Sequence, residues 1–198
     1  MSTPQTQNKV YQRLDTFKLP AGWRGRSAAF VQLWWIVQAL LIHPSPQVAY
    51  GWRRWILRLF GARVGSNVLI RPSVRVTFPW RLTIGDYVWI GDNVELYSLA
   101  EITIGAHAVV SQGSYLCTGS HDANSPSFDI FAKPIIVGEE AWIAAQAFVC
   151  PGVRLGRGSV VGARSFVTED TREGGVYFGK PARYVRQRNP KEIDRHDG

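Results

Sequence analysis

The stretch that decides the fold is residues 137–167, VGEEAWIAAQAFVCPGVRLGRGSVVGARSFV, in which a branched aliphatic residue returns at every sixth position. This period matches neither the 3.6-residue repeat of an amphipathic helix nor the two-residue alternation of a strand. Short repeats of fixed length are typical of solenoids, in which each repeat stacks on the one before. Traced towards the N-terminus, the period begins at Val64. The fifteen anchors are Val64, Ile70, Val76, Ile84, Ile90, Leu96, Ile104, Val110, Leu116, Val137, Ile143, Val149, Leu155, Val161 and Val167.

Three hexads form one triangular coil, so the anchors predict a mainly β fold, a parallel β-helix of about five coils. Glycine follows seven of the anchors, which suits the tight turn at a corner. We expect three regions: a segment 1–63 with two short helices, the repeats at 64–172, and a C-terminal strand or tail at 173–198. An ordinary β-sandwich would not keep fifteen aliphatic positions in register.

The coil starts lie 20, 20, 33 and 18 residues apart, and every extra residue falls after the third anchor of a coil. The extras therefore stack at one corner, and the largest insertion, residues 118–136, leaves the solenoid there as a loop. Loops on a rigid scaffold are where function concentrates. His121 stands at the start of this loop. Counting from the anchors places Glu101 one coil below it, where a carboxylate could orient the imidazole.

Charge and aromatic residues are concentrated before the repeats. Residues 1–63 carry nine basic side chains and one acid, so they account for the whole net charge of +8. Residues 28–42 and 47–60 read as two helices, the first too short for a simple membrane span. The second places Val48, Trp52, Trp55, Ile56, Leu59 and Phe60 on one predicted face. Residues 23–60 either contact a membrane surface or cap the open first coil, and the two roles are compatible.

Several classes of protein are disfavoured by the composition. Two cysteines cannot form a disulfide framework, and residues 1–22 lack the apolar core of a signal peptide. We therefore expect a cytoplasmic protein, at most peripheral at the inner face of the cytoplasmic membrane. No nucleic-acid-binding motif accompanies the basic charge, so nucleic acid is not expected as a partner.

The runs IGDYVWIGDNVEL, VGEEAWIAAQAFVCPGVRLGRGSVVGARSFV and GKPAR resemble those of the hexapeptide-repeat acetyltransferases, whose β-helix is left-handed. The stretch ITIGAHAVVSQGSYLCTGSHD is similar to the colanic-acid-type enzymes of exopolysaccharide synthesis. The resemblance implies an acetyl-CoA-dependent O-acetyltransferase that acts on a sugar hydroxyl of a glycan or lipid-linked precursor. It also implies a homotrimer with each active site between two subunits.

Particular residues take roles through this resemblance. His121 matches the general base, and Ala145 supplies the backbone N–H for the oxyanion. We assign Asp122, next to the base, to the acceptor. The family's CoA path corresponds here to Trp142, Ala144, Ala145, Ala163, Arg164, Lys180 and Arg183. The frequent GNPA of the family is GKPA in this chain, and Gly113 stands where related sugar acetyltransferases often place Asn, so their acceptor contacts cannot be copied.

Two other functions use the same fold. The γ-type carbonic anhydrases need three histidines around a metal, but His43, His107, His121 and His196 are the only histidines, and the first and last lie outside the repeats. We therefore expect no metal. A non-catalytic trimeric scaffold is the second alternative, and the intact His121 and CoA-side motifs argue against it. The acceptor sugar, its hydroxyl and the pathway are not encoded in any motif.

Overall fold

The computed structural model describes residues 10–191, so residues 1–9 and 192–198 of the predicted terminal regions, with His196, lie outside it. Two helical segments precede the strands. The first is α1 (Ala28–Val37), which continues as a π-helical turn (Gln38–Ile42), and the second is α2 (Tyr50–Leu59). The strands are β1 (Arg63–Val64), β2 (Leu69–Ile70), β3 (Arg75–Val76), β4 (Leu82–Ile84), β5 (Trp89–Ile90), β6 (Glu95–Tyr97), β7 (Ile102–Ile104), β8 (Val109–Val110), β9 (Tyr115–Cys117), β10 (Gly119–His121), β11 (Ile130–Ala132), β12 (Ile135–Val137), β13 (Trp142–Ile143), β14 (Phe148–Val149), β15 (Arg154–Leu155), β16 (Val160–Val161), β17 (Phe166–Val167), β18 (Gly175–Gly179) and β19 (Ala182–Gln187).

The strands form the three faces of a prism. Sheet A has the order β1-β4-β7-β12-β15, sheet B β2-β5-β8-β13-β16-β18-β19, and sheet C β3-β6-β9-β14-β17. Neighbouring coils pair in parallel, anchor beside anchor, as in Ile84 beside Ile104. The predicted parallel β-solenoid is confirmed. It is longer than the five coils expected, because Thr171 bridges to Leu155 and β18 pairs with β16, which begins a sixth turn.

The interior of the prism is filled by the anchors. All fifteen are buried, with at most 8% of any side chain exposed. Glycine after an anchor serves a different purpose from the one expected, since φ is not positive at Gly85 or Gly105. A Cβ atom on Gly105 would lie 2.5 Å from the backbone nitrogen of Glu139 in the next coil. These glycines therefore provide clearance between coils. The residue with positive φ at the corner comes two positions after the glycine, and in this coil it is His107.

The extra residues lie at one edge of the prism, as predicted. We call it edge CA, because it leads from each strand of sheet C to the next strand of sheet A. It holds the short 3₁₀ helix Pro79–Arg81 in the first coil and the hairpin of β10 and β11 in the third. The loop expected at residues 118–136 ends two residues earlier, because β12 begins at Ile135, so we call residues 118–134 the insertion. The hairpin carries His121 away from the solenoid wall, and this determines the environment of the histidine.

The two helices cover the open end of the first coil, whose strands would otherwise present unpaired backbone groups. Helix α1 begins after Ser27, whose side chain accepts the Phe30 N–H. Its Trp34 indole donates to the Val76 carbonyl on β3 at 2.8 Å. Arginines of α2 donate to carbonyls of the other two first-coil strands, Arg58 to Val64 and Arg53 to Ile70. The capping role weighed from the sequence is therefore what the structure shows.

The apolar face predicted for the second helix was wrong in part. Ile56 and Phe60 are buried on the solenoid, but Val48, Trp52, Trp55 and Leu59 are exposed. Arg53 instead is completely buried, because its guanidinium reaches acceptors that no apolar side chain could satisfy. Among residues 10–191, no helix has both the length and the apolar character needed to cross a bilayer.

Candidate functional site

His121 ends strand β10, where it pairs with Ile130 across the hairpin. Its Nδ1 lies 2.7 Å from the Phe128 carbonyl oxygen. A carbonyl oxygen can only accept a hydrogen bond, so Nδ1 carries a hydrogen, and in the neutral imidazole Nε2 then has the lone pair. The imidazole also stacks on the Phe128 ring, with centroids 4.0 Å apart and planes 8° from parallel. The side chain is half-buried, with one nitrogen fixed by the backbone and the other free to accept a proton.

Phe128 adopts φ +55°, a conformation uncommon for a bulky residue. The turn that holds it is closed by Ser125 and Ser127, whose hydroxyls donate to the Asp129 carboxylate at 2.7 and 2.8 Å. These hydrogen bonds lower the pKa of Asp129, so its carboxylate stays ionised as an acceptor. The tight turn therefore presents the Phe128 carbonyl to His121.

The orienting role suggested for Glu101 is corrected by the structure. The Ile135 N–H donates to the Glu101 carbonyl, so the Glu101 backbone lies beside the end of the insertion. Within the described residues no hydrogen bond joins Glu101 to His121. The residue count failed because the hairpin leaves the solenoid before the stacking resumes at β12. Asp122, next to the histidine, is exposed and accepts the Asn124 N–H, and it shares a shallow groove with His121.

The residues assigned to the CoA path lie on another edge of the prism. Ala144 and Ala145 form the turn between β13 on sheet B and β14 on sheet C, which we call edge BC. Arg164 lies at the same edge one coil later, since its N–H donates to the Ala145 carbonyl at 2.9 Å. Ala163, beside Arg164, is exposed there. The structure thus brings Ala144, Ala145, Ala163 and Arg164 together, and it separates them from His121 by the width of sheet C.

An open groove follows this edge. It is lined in part by Phe148, Arg164 and Lys180. The Arg164 guanidinium is held by Gln146, which accepts from its Nε at 2.7 Å. Arg183 lies on β19 and pairs with Glu169 at 3.5 Å, so its charge is partly balanced by an acid. Two cations therefore line the groove itself, and Arg183 stands apart from them.

Trp142 lies on the outer face of sheet B and is 46% exposed, so it is not packed into a corner. Its indole N–H donates to Ser111 on the neighbouring coil at 2.9 Å. The Ala145 N–H has no acceptor among residues 10–191, and neither has that of Gln112 or Ala163 at the same edge. Free amides therefore recur from coil to coil along edge BC, and an oxyanion at this edge could use any of them.

The chain is similar to known proteins with this architecture. A family profile described as the hexapeptide repeat of succinyl-transferase matches residues 134–169. The chain is 57% identical over 177 residues to the Escherichia coli (strain K12) protein named as a colanic acid biosynthesis acetyltransferase, WcaF. That match covers 89% of this chain and 97% of the relative. The chain belongs to the hexapeptide-repeat acetyltransferases.

More distant acetyltransferases of the family agree with this assignment. Galactoside O-acetyltransferase of Lactococcus lactis is 27% identical over 180 residues, covering 88% of this chain and 84% of that protein. The hexapeptide-repeat acetyltransferase VCA0836 of Vibrio cholerae, solved in complex with acetyl coenzyme A, superposes with a TM-score of 0.76. It is 28% identical, and the superposition covers 84% of this chain and 92% of that one.

Among residues 10–191 of this acetyltransferase, no three histidine, cysteine or acidic side chains cluster closely enough to bind a metal ion. Cys117, four residues before His121, is half-buried, and burial raises the pKa of its thiol. A thiol with a raised pKa is a poor nucleophile at neutral pH. Of these two side chains, His121 is therefore the better candidate for a base at neutral pH.

Sequence reasoning missed Phe128 and Gln146. Phe128 contacts His121 through its backbone carbonyl and its ring, and neither contact can be recognised from the residue type alone. The Ser-Pro-Ser run before it was a turn signal that could have marked the tight turn. In the sequence Gln146 looks like any exposed polar residue, because its contact with Arg164 arises only when the next coil stacks on it.

Proposed function

We propose that this protein is an acetyl-CoA-dependent O-acetyltransferase that acetylates a sugar hydroxyl of a glycan or lipid-linked exopolysaccharide precursor. The observation that carries the proposal is the Nδ1–H of His121 donating to the Phe128 carbonyl, which leaves Nε2 as a positioned acceptor. The names of the relatives support the donor and the pathway class, since one relative binds acetyl coenzyme A and another is named for colanic acid biosynthesis.

The proposed reaction needs no covalent enzyme intermediate. Nε2 of His121 takes the proton of the acceptor hydroxyl as its oxygen attacks the thioester carbonyl. The oxyanion of the tetrahedral intermediate accepts a hydrogen bond from a free amide at edge BC, for which Ala145 is our assignment. The intermediate collapses to the acetyl ester, and the CoA sulfur leaves with the proton returned by the imidazolium. Arg164 and Lys180 supply positive charge along the groove for the CoA phosphates.

We further propose that the active protein is a homotrimer. His121 is at edge CA and Ala145 is at edge BC, so one chain does not bring the base to the amide. A symmetric ring of three chains would place edge CA of one subunit against edge BC of the next. In this arrangement each site takes its base from one subunit and its amide from the neighbour, while Asp122 approaches the acceptor beside the base.

The test of the reaction is a CoA-release assay with acetyl-CoA and a panel of free and lipid-linked sugars. We expect release that depends on a particular acceptor, with one new ester in the product by mass spectrometry. Release that no sugar accelerates would contradict the proposed acceptor class. Carbon dioxide hydration by the zinc-loaded protein would support the carbonic anhydrase alternative instead.

We also propose peripheral contact with the inner face of the cytoplasmic membrane through residues 23–60. Two apolar stripes point away from the solenoid, each spaced by three and four residues along a helix. Trp52 and Trp55 of the second stripe stack with centroids 5.3 Å apart, and the Trp52 indole donates to the Leu41 carbonyl, which joins the two helices. The stripes are Leu33, Ile36 and Leu40 on the first helical segment and Trp52, Trp55 and Leu59 on α2, all of them exposed.

Vesicle co-sedimentation tests this contact. Wild-type protein is expected to pellet with vesicles that contain phosphatidylglycerol, and the double variant Trp52→Ser/Trp55→Ser is expected to bind at least about tenfold more weakly, because two large apolar surfaces are lost. Val185→Ser is the matched control, since Val185 is an exposed apolar residue on β19, outside the helices. Equal sedimentation of the double variant and the wild type would contradict the membrane contact.

A further inference from the structure

The part of the chain that precedes helix α1 runs along the insertion that carries His121. We call residues 10–22 the strap. It has one short 3₁₀ turn, Leu14–Thr16, and every residue in it is exposed except Phe17. A segment with a single half-buried side chain is held by that side chain and by its backbone contacts. The contacts of Phe17 therefore indicate what the strap does.

One end of the strap is bonded to the insertion, and the residue after its other end packs on a cluster that the insertion also contacts. The Arg13 N–H donates to the Pro126 carbonyl at 2.6 Å, in the turn before Phe128. Beyond the other end, Trp23 packs on a small apolar cluster that includes Leu99 and Ile130. Arg81 donates to the carbonyls of Trp23 and Leu99, which fixes this cluster to edge CA. The strap is therefore bonded to the insertion at Arg13 and is followed by Trp23, which is held at edge CA.

Phe17 lies between these ties and contacts the catalytic imidazole. The Phe17 and His121 ring centroids are 6.0 Å apart, with planes at 56°. This is a tilted aromatic contact within the usual range of centroid separations. With Phe128 stacked on the same imidazole, His121 touches one phenylalanine of its own turn and a second one more than a hundred residues earlier in the chain.

The hairpin has a physical need for such a support. A two-stranded ribbon that has left its sheet is marginally stable on its own. A base must be held within about half an ångström of its working position, and an error of about 1 Å can reduce the rate a hundredfold. The Phe128 carbonyl fixes the Nδ1 end of the ring, but it does not prevent the whole hairpin from tilting. Phe17 contacts the ring from outside the hairpin.

We infer that Phe17 is a positioning residue for His121, so that the N-terminal strap is part of the active site. This inference rests on the proposed function, because it assigns Phe17 a role only through the base. Phe17 touches neither the reacting atoms nor the donor in this account. Its loss should therefore reduce kcat and leave the KM values for acetyl-CoA and acceptor unchanged.

The test compares Phe17→Ala, Phe17→Leu and Tyr11→Ala in the full-length chain. We expect kcat of Phe17→Ala to fall about tenfold, with both KM values within about twofold of wild type, and Phe17→Leu to recover most of the rate because it restores an apolar contact. Tyr11, 81% exposed on the same strap, is the control and should have no effect. Thermal unfolding of each variant shows whether the protein assayed is folded. If Phe17→Ala does not fold, Phe17→Val takes its place, because valine keeps an apolar side chain but is too short to reach the imidazole; a wild-type kcat in folded Phe17→Val would overturn the inference.

A double-mutant cycle with His121→Ala separates the inference from the proposed function. In the His121→Ala background, Phe17→Ala should cause no further loss, because the group that it positions is absent. A normal kcat for Phe17→Ala, a change confined to the acceptor KM, or an equal further loss without His121 would each overturn the inference. Full activity of His121→Ala alone would instead overturn the proposed function.

Discussion

Purified His121→Ala is expected to transfer acetyl groups about a thousandfold more slowly than the wild type, since positioned general bases contribute on the order of a hundred- to ten-thousandfold. The reason lies in the hydrogen bond from Nδ1 to the Phe128 carbonyl, which leaves Nε2 as the acceptor for the hydroxyl proton. The measurement is kcat in the CoA-release assay with the acceptor found in the panel. The KM for acetyl-CoA should stay near its wild-type value, because the groove proposed for CoA is lined by Phe148, Arg164 and Lys180 and not by His121.

The matched control is His107→Ala. His107 stacks on Tyr87, with centroids 5.1 Å apart, at a corner of the solenoid away from the insertion. It should retain wild-type kcat even if some stability is lost. A His121→Ala enzyme as fast as the wild type would show that the base is elsewhere.

The same variant tests the shared site. Co-expression of His121→Ala with Ala145→Trp, each inactive alone, should produce mixed trimers in which some sites pair an intact His121 with an intact Ala145. Random assembly makes about a quarter of the sites intact, because each site draws one residue from each of two neighbours. Recovery of about a quarter of wild-type activity is the expected result. No recovery in trimers shown to be mixed would mean that both residues act within one chain.

The second large effect is expected from Arg53, where helix α2 caps the first coil. Arg53→Met should lower the free energy of unfolding by about 3 kcal/mol, because buried carbonyls lose a charged donor that methionine cannot replace. Arg53 is fully buried and donates to four acceptors, the Ile70, Pro46 and Gln47 carbonyls and the Ser45 hydroxyl. For a chain of this length the loss corresponds to roughly 6–12 °C in Tm. Calorimetry measures the shift.

Arg63→Met is the control for this variant, since Arg63 is an exposed residue of β1. Its Tm should change by no more than about 2 °C, as expected for a surface substitution. If Arg53→Met has the same Tm as the wild type, the hydrogen bonds of Arg53 add nothing to stability.

The cap also explains where the net charge of +8 is used. Arg53, Arg54 and Arg58 donate to the carbonyls of Ile70, Val68 and Val64, so they complete hydrogen bonds that a further coil would have made. The composition left open whether residues 23–60 contact a membrane surface or cap the first coil. The structure shows that three of the nine basic residues neutralise the negative ends of backbone dipoles at an open strand edge.

The parts of the fold that were predictable depend on short-range repetition. An anchor such as Ile104 is buried because its neighbours six residues away are buried, and the same rule applies along the whole solenoid. The insertion at edge CA was predictable for the same reason, since the six-residue period of the anchors is interrupted there. The helices were found from their apolar composition, but the outward direction of Trp52 and Trp55 was not, because an arginine competed for the buried face and had the better partners.

By itself, the sequence determined the parallel solenoid, the edge at which the insertion leaves it and the identity of the histidine that the insertion carries. A six-residue period records local geometry, which repeats from coil to coil. Only the tertiary structure decided that His121 is held by the Phe128 carbonyl and not by Glu101, that Phe17 reaches the imidazole, and that the helices cap the first coil through arginine. Those contacts join residues whose separation follows no period, so they depend on how turns and side chains compete for partners once the chain has folded.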